Sequence, residues 1–466
     1  MTRLKRALTV VLGVVLVAGA VALLLRRSNA GSGAATSGRV GSPAGPRAAG
    51  SSAAAALGSA TGIGTPAPLS PALSALTTKL DGDLTGTDSC LDVTNAAGQV
   101  VYQHQPVAPL IPASTQKLVV AEAALAILGP DYHFVTSVVA PAPPVDGQVA
   151  ALWLEGSGDP LLATPGFIAS ETGRVRMAGY PWTPLSTLAN ALVADGIKLV
   201  PGGIRGDASY ESGPGFLPVW PASYQEQEQI GVLSALSVDE GQVTTPGHSS
   251  MAPDPPTNAA SQLARLLQLQ GLPVGSMPDQ TAPPGSVILA TVSSAPLGQI
   301  VEAMLRASDD WIAELLVRAI DKEVGGMGTT TGGVSVVMNT VARLGIPLSS
   351  VHMDDGSGLS RTDRATCQEL LAALALGATP AYAPVQAGLA VAGQTGTLAD
   401  RYNRTPIAGK LLAKTGSLDG VAGMVGEIAV GAPLQFAYLD NDNVSVTVLY
   451  DREDAVVDAL AAYPGG

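Results

Sequence analysis

A serine and a lysine three residues apart are the first candidates for chemistry in this chain. They are Ser114 and Lys117, within residues 112–118, which read P-A-S-T-Q-K-L and open an alanine- and leucine-rich run. A proline ahead of such a run predicts a helix that begins near Ser114. Residues three apart share one helix face, so the Lys117 amine can reach the Ser114 hydroxyl and act as the base of a serine nucleophile. The backbone N–H of Ser114, in the first turn, is free to donate to an oxyanion.

The spacing S-x-x-K is weak by itself, because a helix N-cap followed by a solvated lysine has the same letters. Of the seven lysines in the chain, however, only Lys117 has a serine three positions before it. The pair is therefore a hypothesis that needs further elements of a site.

A second element combines a lysine, a hydroxyl and a glycine. Lys414, Thr415 and Gly416 are followed by Ser417 and then by the apolar run 421–430, a pattern that predicts extended structure. On a strand edge these residues offer a cation, a hydrogen-bond donor for a carboxylate and close backbone approach for a substrate. The other interpretation is an ordinary hairpin strand.

A third element places a serine before two acids. Ser308, Asp309 and Asp310 lie inside residues 299–320, which otherwise have the composition of a helix. Alone, a serine with two acids is a common helix cap.

In this order the three elements resemble the S-x-x-K, S-x-N and K-T-G motifs of penicillin-binding proteins and serine β-lactamases, with the second one altered. The chain is similar above all to the class C low-molecular-mass penicillin-binding proteins, which are D-alanyl-D-alanine carboxypeptidases and endopeptidases. Further similar motifs are G-S-G-D-P at 156–160, D-G-S-G-L-S-R at 355–361 and G-T-L at 396–398. The resemblance covers about residues 75–450. It implies an α/β (α+β) fold, in which a β-lactamase/transpeptidase-like domain has an antiparallel sheet flanked by helices.

The resemblance also implies a role for each candidate residue. The implied catalytic residues are Ser114, Lys117 and Ser308. The implied substrate-binding residues are Asp310, Lys414, Thr415, Gly416 and Ser417. Ser114 would attack the carbonyl of the penultimate D-alanine of a peptidoglycan stem peptide, with Lys117 as base. The backbone N–H groups of Ser114 and Ser417 would hold the oxyanion. β-Lactam antibiotics would acylate the same serine as covalent inhibitors.

One residue departs from the family pattern. Asp310 stands where the family has asparagine, so an amide that donates and accepts is replaced by a carboxylate that, when ionised, only accepts. It can accept from Lys117 or Lys414, but next to Lys117 it would keep the proton on that amine and weaken the base. Two alternatives stay open, and Asp310 is a hint of the second. One is a β-lactamase with fast deacylation, and the other is a catalytically weak module that binds the cell wall.

Composition excludes other classes of function. The chain of 466 residues carries 38 acidic and 25 basic side chains, a net charge of −13, and has no basic cluster after residue 27. A phosphate-tracking groove needs a basic stripe, so we expect no nucleic-acid partner. The four histidines and two cysteines are scattered singly, so we expect no metal and no cofactor. Cys90 and Cys367 could form a disulfide or be two small buried side chains.

The domain organisation follows from changes in composition. Residues 1–27 carry basic residues around a long uncharged apolar run and are predicted to be a signal anchor or a cleaved signal peptide. Residues 28–70, rich in Ala, Gly, Ser and Pro, are predicted to be a flexible linker. The distance between the first two motifs is longer than a compact β-lactamase-like domain needs, and the resemblance implies an inserted, β-rich domain at 136–284, so that the catalytic domain comprises 71–135 and 285–466. We therefore expect an extracytoplasmic protein that is membrane-anchored, or secreted to the cell wall after signal cleavage.

Overall fold

The computed structural model describes residues 70–245 and 248–465. The predicted membrane segment, residues 1–27, and all but the last residue of the predicted linker, 28–70, lie outside these residues. Within the described part, no single helix is long and apolar enough to cross a membrane, although by length and composition the bent pair Cys367–Gly377 and Pro380–Ala387 meets that criterion.

The chain forms a mixed α/β structure. The helices are α1 Pro71–Leu84, α2 Lys117–Ile127, α3 Pro165–Glu171, α4 Ser186–Ala194, α5 Ser223–Glu226, α6 Pro255–Leu269, α7 Leu297–Ala307, α8 Asp310–Glu323, α9 Thr330–Arg343, α10 Cys367–Gly377, α11 Ala383–Ala387 and α12 Val446–Ala461. The strands are β1 Ser89–Asn95, β2 Val100–His104, β3 Val135–Ala140, β4 Leu152–Glu155, β5 Leu162–Ala163, β6 Thr183–Pro184, β7 Ile204–Asp207, β8 Gln242–Thr245, β9 His248–Met251, β10 Val287–Ser293, β11 Ala390–Val391, β12 Leu411–Leu418, β13 Val421–Ile428 and β14 Leu434–Asp440.

The larger sheet has six strands in the order β11-β12-β13-β14-β1-β2, and the neighbouring strands are antiparallel. Side chains alternate between its two faces because successive residues of a strand point in opposite directions. On β14, Ala437 and Leu439 enter a hydrophobic core with α2 and α7 to α10, whereas Phe436 and Tyr438 enter a second core with α1 and α12. The predicted antiparallel sheet flanked by helices is confirmed.

A smaller sheet lies between the first two motifs in sequence. Its order is β10-β3-β4-β7, with β4 and β7 parallel and the other pairs antiparallel. Together with α4 and α6 it encloses its own hydrophobic cluster. The described residues belong to one compact unit, so a separate inserted domain at 136–284 stays a prediction. Strand β10 pairs within this smaller sheet, although the predicted boundaries assign residues 287–293 to the catalytic part.

A disulfide joins the larger sheet to helix α10. Cys90 on β1 is bonded to Cys367 at the start of α10, and both residues are fully buried. Of the two possibilities that the sequence left open, the structure therefore has the disulfide. It ties the sheet to α10 across a sequence separation of 277 residues.

Candidate active site

Ser114 lies in a tight turn that leads into α2. Residues Ala113–Gln116 form a 3₁₀ turn, and the α-helix itself starts at Lys117, so the predicted helix begins with a 3₁₀ segment. Ala113 has a φ of +46°, in the left-handed region. Gly358 packs against this turn so closely that a Cβ on it would lie 2.0 Å from the Ala113 carbonyl oxygen. The turn that presents Ser114 is thus held by a neighbouring loop that tolerates only glycine at this contact.

Lys117 is completely buried and has three hydrogen-bond acceptors. Its Nζ donates to Ser114 Oγ at 2.7 Å, to Asp310 Oδ1 at 2.6 Å and to the Ser357 carbonyl oxygen at 2.6 Å. A lysine ammonium has three N–H donors, so all of them are engaged. The serine and lysine that the spacing predicted to meet are in hydrogen-bond contact. Asp310, the departure from the family pattern, is the ion-pair partner of this lysine, and its side chain is 23% exposed.

The third acceptor of Lys117 is positioned by a buried glutamate. Glu314 Oε1 accepts the backbone N–H groups of Gly356 at 2.9 Å and Ser357 at 2.7 Å, which fixes the peptide whose carbonyl faces Lys117. Burial, and then the charge of Asp355, raise the pKa of Glu314 to about 8. Glu314 was not among the residues predicted from the sequence. A signal was available, because it lies four residues after Asp310 and thus on the same face of α8.

The loop 355–361 is organised by its first residue. Asp355 Oδ1 accepts the N–H of Gly358 at 2.8 Å, and its Oδ2 accepts the N–H of Ser360 at 2.7 Å and the Trp220 indole N–H at 2.7 Å. The motif D-G-S-G-L-S-R was noticed in the sequence without a role. In the structure it supplies both the glycine against the nucleophile turn and the carbonyl that binds Lys117.

Ser308 occupies a break between two helices. The stretch 299–320, which had the composition of one helix, is divided into α7 and α8, with Ser308 in the left-handed conformation at a φ of 62°. Asp309 is the N-cap of α8 and accepts the Ile312 N–H at 3.0 Å. It also accepts the Tyr180 hydroxyl at 2.8 Å. The break turns Ser308 towards the larger sheet.

Lys414 forms a second serine–lysine pair. It is completely buried on β12, and its Nζ donates to Ser308 Oγ at 2.8 Å and to the Thr415 carbonyl oxygen at 2.6 Å. Burial, and then the positive charge of Lys117, lower the pKa of Lys414 well below its ordinary value. A neutral Lys414 amine can exchange a proton with the Ser308 hydroxyl.

The residues after Lys414 form a free strand edge. Strand β11 pairs only with Leu412 and Ala413 of β12, so the following residues have no strand partner on that side in the described chain. Gly416 lies against the nucleophile turn, since a Cβ there would be 3.1 Å from the Ser114 nitrogen. A substrate can therefore lie along this edge beside Ser114.

Two side-chain contacts fix the hydroxyl groups of this edge. Thr415 Oγ1 donates to Thr397 Oγ1 at 2.8 Å. The Tyr450 hydroxyl on α12 donates to Ser417 Oγ at 3.0 Å. Thr397 belongs to the G-T-L motif, whereas no sequence pattern had indicated Tyr450.

These groups border one cavity of about 410 Å³. Of the predicted site residues, those lining it are Ser114, Ser308, Asp310, Thr415, Gly416 and Ser417. Lys117 and Lys414 lie behind it as buried partners of the two serines. Lining residues that the sequence analysis missed are Arg176, Asp400, Arg401, Tyr450 and Glu453. The described residues contain no cluster of three metal-binding side chains.

Comparison with known proteins points to one family. The sequence profile of the D-Ala-D-Ala carboxypeptidase 3 (S13) family matches residues 69–253 and 245–463. The chain is 32% identical over 364 residues to Carboxypeptidase Rv3627c of Mycobacterium tuberculosis, covering 75% of each chain. It is 27% identical to the D-alanyl-D-alanine carboxypeptidase of an Actinomadura species, covering 83% of this chain and 82% of the relative.

A solved structure shares the fold. Penicillin binding protein 4 (dacB) from Haemophilus influenzae superimposes with a TM-score of 0.68 at 21% identity, over 84% of this chain and 99% of that protein. The prediction of a penicillin-binding-protein fold is therefore confirmed.

Proposed function

The chain belongs to the D-Ala-D-Ala carboxypeptidase 3 (S13) family, and from this membership we propose that it is a serine-type D-alanyl-D-alanine carboxypeptidase, a hydrolase that trims peptidoglycan stem peptides. The observation that carries the proposal is the contact of 2.7 Å between Lys117 Nζ and Ser114 Oγ at the end of a cavity bordered by a free strand edge. A nucleophile, a base, a second proton carrier and a carboxylate site all meet there.

Acylation begins with transfer of the Ser114 proton to a neutral Lys117. Ser114 Oγ then bonds to the carbonyl carbon of the penultimate D-alanine, and the backbone N–H groups of Ser114 and Ser417 bind the oxyanion. The amide C–N bond breaks as Ser308, whose hydroxyl contacts Lys414, gives a proton to the leaving D-alanine. The proton that Lys117 took from Ser114 then replaces the one that Ser308 gave, so Lys117 is neutral again. Thr415, on the free strand edge, binds the terminal carboxylate of the substrate, and Lys414 lies behind this position until the D-alanine leaves.

Deacylation returns the free enzyme. Water attacks the acyl carbonyl in the same oxyanion site and gives a proton to Lys117. As the Ser114–acyl bond breaks, Lys117 passes this proton to Ser114 Oγ. A β-lactam forms the same bond to Ser114, but its leaving group stays attached and its adduct is released slowly. The Haemophilus influenzae protein that shares this fold has been solved as a complex with a β-lactam, which supports this part of the proposal.

The place of action is part of the proposal. Peptidoglycan lies outside the cytoplasmic membrane, and the disulfide Cys90–Cys367 suits an oxidising compartment. We therefore place the catalytic part outside that membrane, with residues 1–27 acting as an anchor or as an export signal.

One alternative has an observation in its favour. Lys117, the proposed base, is ion-paired with Asp310, an arrangement that a catalytically weak wall-binding protein would tolerate. Such a protein would bind peptidoglycan equally well with Ser114→Ala.

The test is intact mass spectrometry after incubation with benzylpenicillin, with Ser114→Ala as the matched control. We expect an adduct of one penicillin that persists and is absent in the control, together with release of D-alanine from a D-Ala-D-Ala peptide. Rapid drug turnover without an adduct would indicate a β-lactamase. The absence of both an adduct and hydrolysis would reject the enzyme in favour of the wall-binding module.

A further inference from the structure

The cavity in front of Ser114 extends beyond the groups used in the proposed reaction. Past Thr415 and Ser417, it is lined by side chains of the segment after the G-T-L motif and of α12. These side chains are Asp400, Arg401, Tyr450 and Glu453. The methyl side chain of a leaving D-alanine fills little of the cavity's 410 Å³, so a longer leaving group has room on this side of Thr415.

Glu453 lines this part of the cavity and has a carboxylate oxygen without a hydrogen-bond donor among the described residues. The residue is 1% exposed, and its Oε1 accepts Arg401 Nη1 at 2.6 Å. Its Oε2 is buried and has no hydrogen-bond donor among the described residues. A buried carboxylate oxygen without a donor is costly, and a donor brought by a ligand would recover that free energy. Tyr450 cannot supply the donor, because its hydroxyl proton is used by Ser417.

The charges around Glu453 favour a cation. The single guanidinium of Arg401 is shared between Glu453 and Asp454, whose Oδ1 accepts Arg401 Nη2 at 2.5 Å. Asp400 adds an exposed carboxylate that also lines the cavity. Two of these carboxylates share the Arg401 guanidinium and Asp400 is a third, so the excess charge at this end of the cavity is negative. The other lining cation, Arg176, lies beside Ser308, where it donates to the Ala307 carbonyl oxygen at 2.5 Å.

We propose that this end of the cavity is a leaving-group subsite for a D-amino acid whose side chain carries an ammonium group, with Glu453 as its acceptor and Asp400 as a second negative charge. The inference rests on the proposed function, because the leaving residue is defined by hydrolysis of a D-Ala–D-Xaa bond. The terminal carboxylate of that residue binds at Thr415, and its side chain reaches towards α12. Glu453 is thus a specificity-determining residue.

The test compares three peptides that differ only in the last residue, D-alanine, D-lysine or D-norleucine. D-Norleucine matches the aliphatic part of D-lysine without its charge, so the ratio of kcat/KM for D-lysine over D-norleucine isolates the ammonium contact. We expect a ratio of about ten or more in the wild type, since hydrogen bonds to charged groups are the strong ones. Glu453→Gln should bring the ratio close to one, and Asp400→Asn should lower it partly.

The matched control is Asp451→Asn, which removes the same charge from an exposed position of α12 that does not line the cavity. Its ratio should equal that of the wild type. Asp400 is exposed, so its variant tests the subsite even if Glu453→Gln does not fold. A wild-type ratio near one, or a ratio that neither folded variant changes, would overturn the subsite while hydrolysis of the D-alanine peptide upholds the proposed function. Loss of all hydrolysis in the wild type would refute both.

Discussion

Replacement of Asp310 by asparagine should make the enzyme faster. The contact between Lys117 Nζ and Asp310 Oδ1 is 2.6 Å long, and two unit charges at that separation attract by about 6 kcal/mol at an effective dielectric constant of 20. This is an upper bound, because the Asp310 side chain is 23% exposed and the asparagine carbonyl still accepts a hydrogen bond. Hydrogen bonds to charged groups exceed neutral ones by about 1.4 kcal/mol. We take this as the free energy by which Asp310, compared with asparagine, favours the protonated lysine.

A change of about 1.4 kcal/mol is about tenfold in an equilibrium constant. Asp310→Asn removes this attraction on the ammonium form of Lys117 and should therefore raise kcat/KM on a D-Ala-D-Ala peptide by about tenfold near neutral pH. Asp451→Asn, with a distant exposed charge removed, controls for net charge. If the activity of Asp310→Asn is unchanged or lower, the reasoning that Asp310 handicaps the site is wrong.

Two further predictions concern stability. Burial raises the pKa of Glu369 from an ordinary 4.5 to about 8. Between these pH values the folded protein therefore binds more protons than the unfolded chain. Its stability falls as the pH rises through this window. Glu369→Gln should flatten the decline in melting temperature between about pH 5 and pH 9, and an equally steep decline in this variant would contradict the assignment. Joint replacement of Cys90 and Cys367 by alanine should lower the free energy of unfolding, measured in denaturant titrations, by up to about 5 kcal/mol, because the bond closes a loop of 277 residues. An unchanged free energy of unfolding would show that the bond is not formed.

The sequence predicted the parts of the site that depend on local spacing. Ser114 and Lys117 are three residues apart on one turn, and K-T-G is followed by an apolar run, so their contact and the strand could be inferred without tertiary information. The helix break at Ser308 was missed, because a serine in the left-handed conformation has no composition signal. The two acids that follow Ser308 did fit a helix cap, and Asp309 is the N-cap of α8.

The surroundings of Lys117 could not be inferred in this way. Its acceptors come from the turn at Ser114, from α8 and from the loop 355–361, and only folding brings these segments together. The same holds for Glu453, which enters the cavity from the last helix. A buried acid on a helix is more often structural than functional. What distinguishes this one is a carboxylate oxygen without a donor on a residue that lines a cavity, which no sequence pattern records.

The two buried lysines differ in one respect that bears on the reaction. Lys117 has a carboxylate in contact, whereas Lys414 has only a hydroxyl and a carbonyl oxygen among the described residues, and its pKa is lowered by burial. The proposed reaction needs Lys117 as a neutral amine, and the carboxylate of Asp310 attracts its charged form. No carboxylate contacts Lys414 among the described residues. The attraction by Asp310 is the quantity that Asp310→Asn removes, which is why the expected change is a gain in rate.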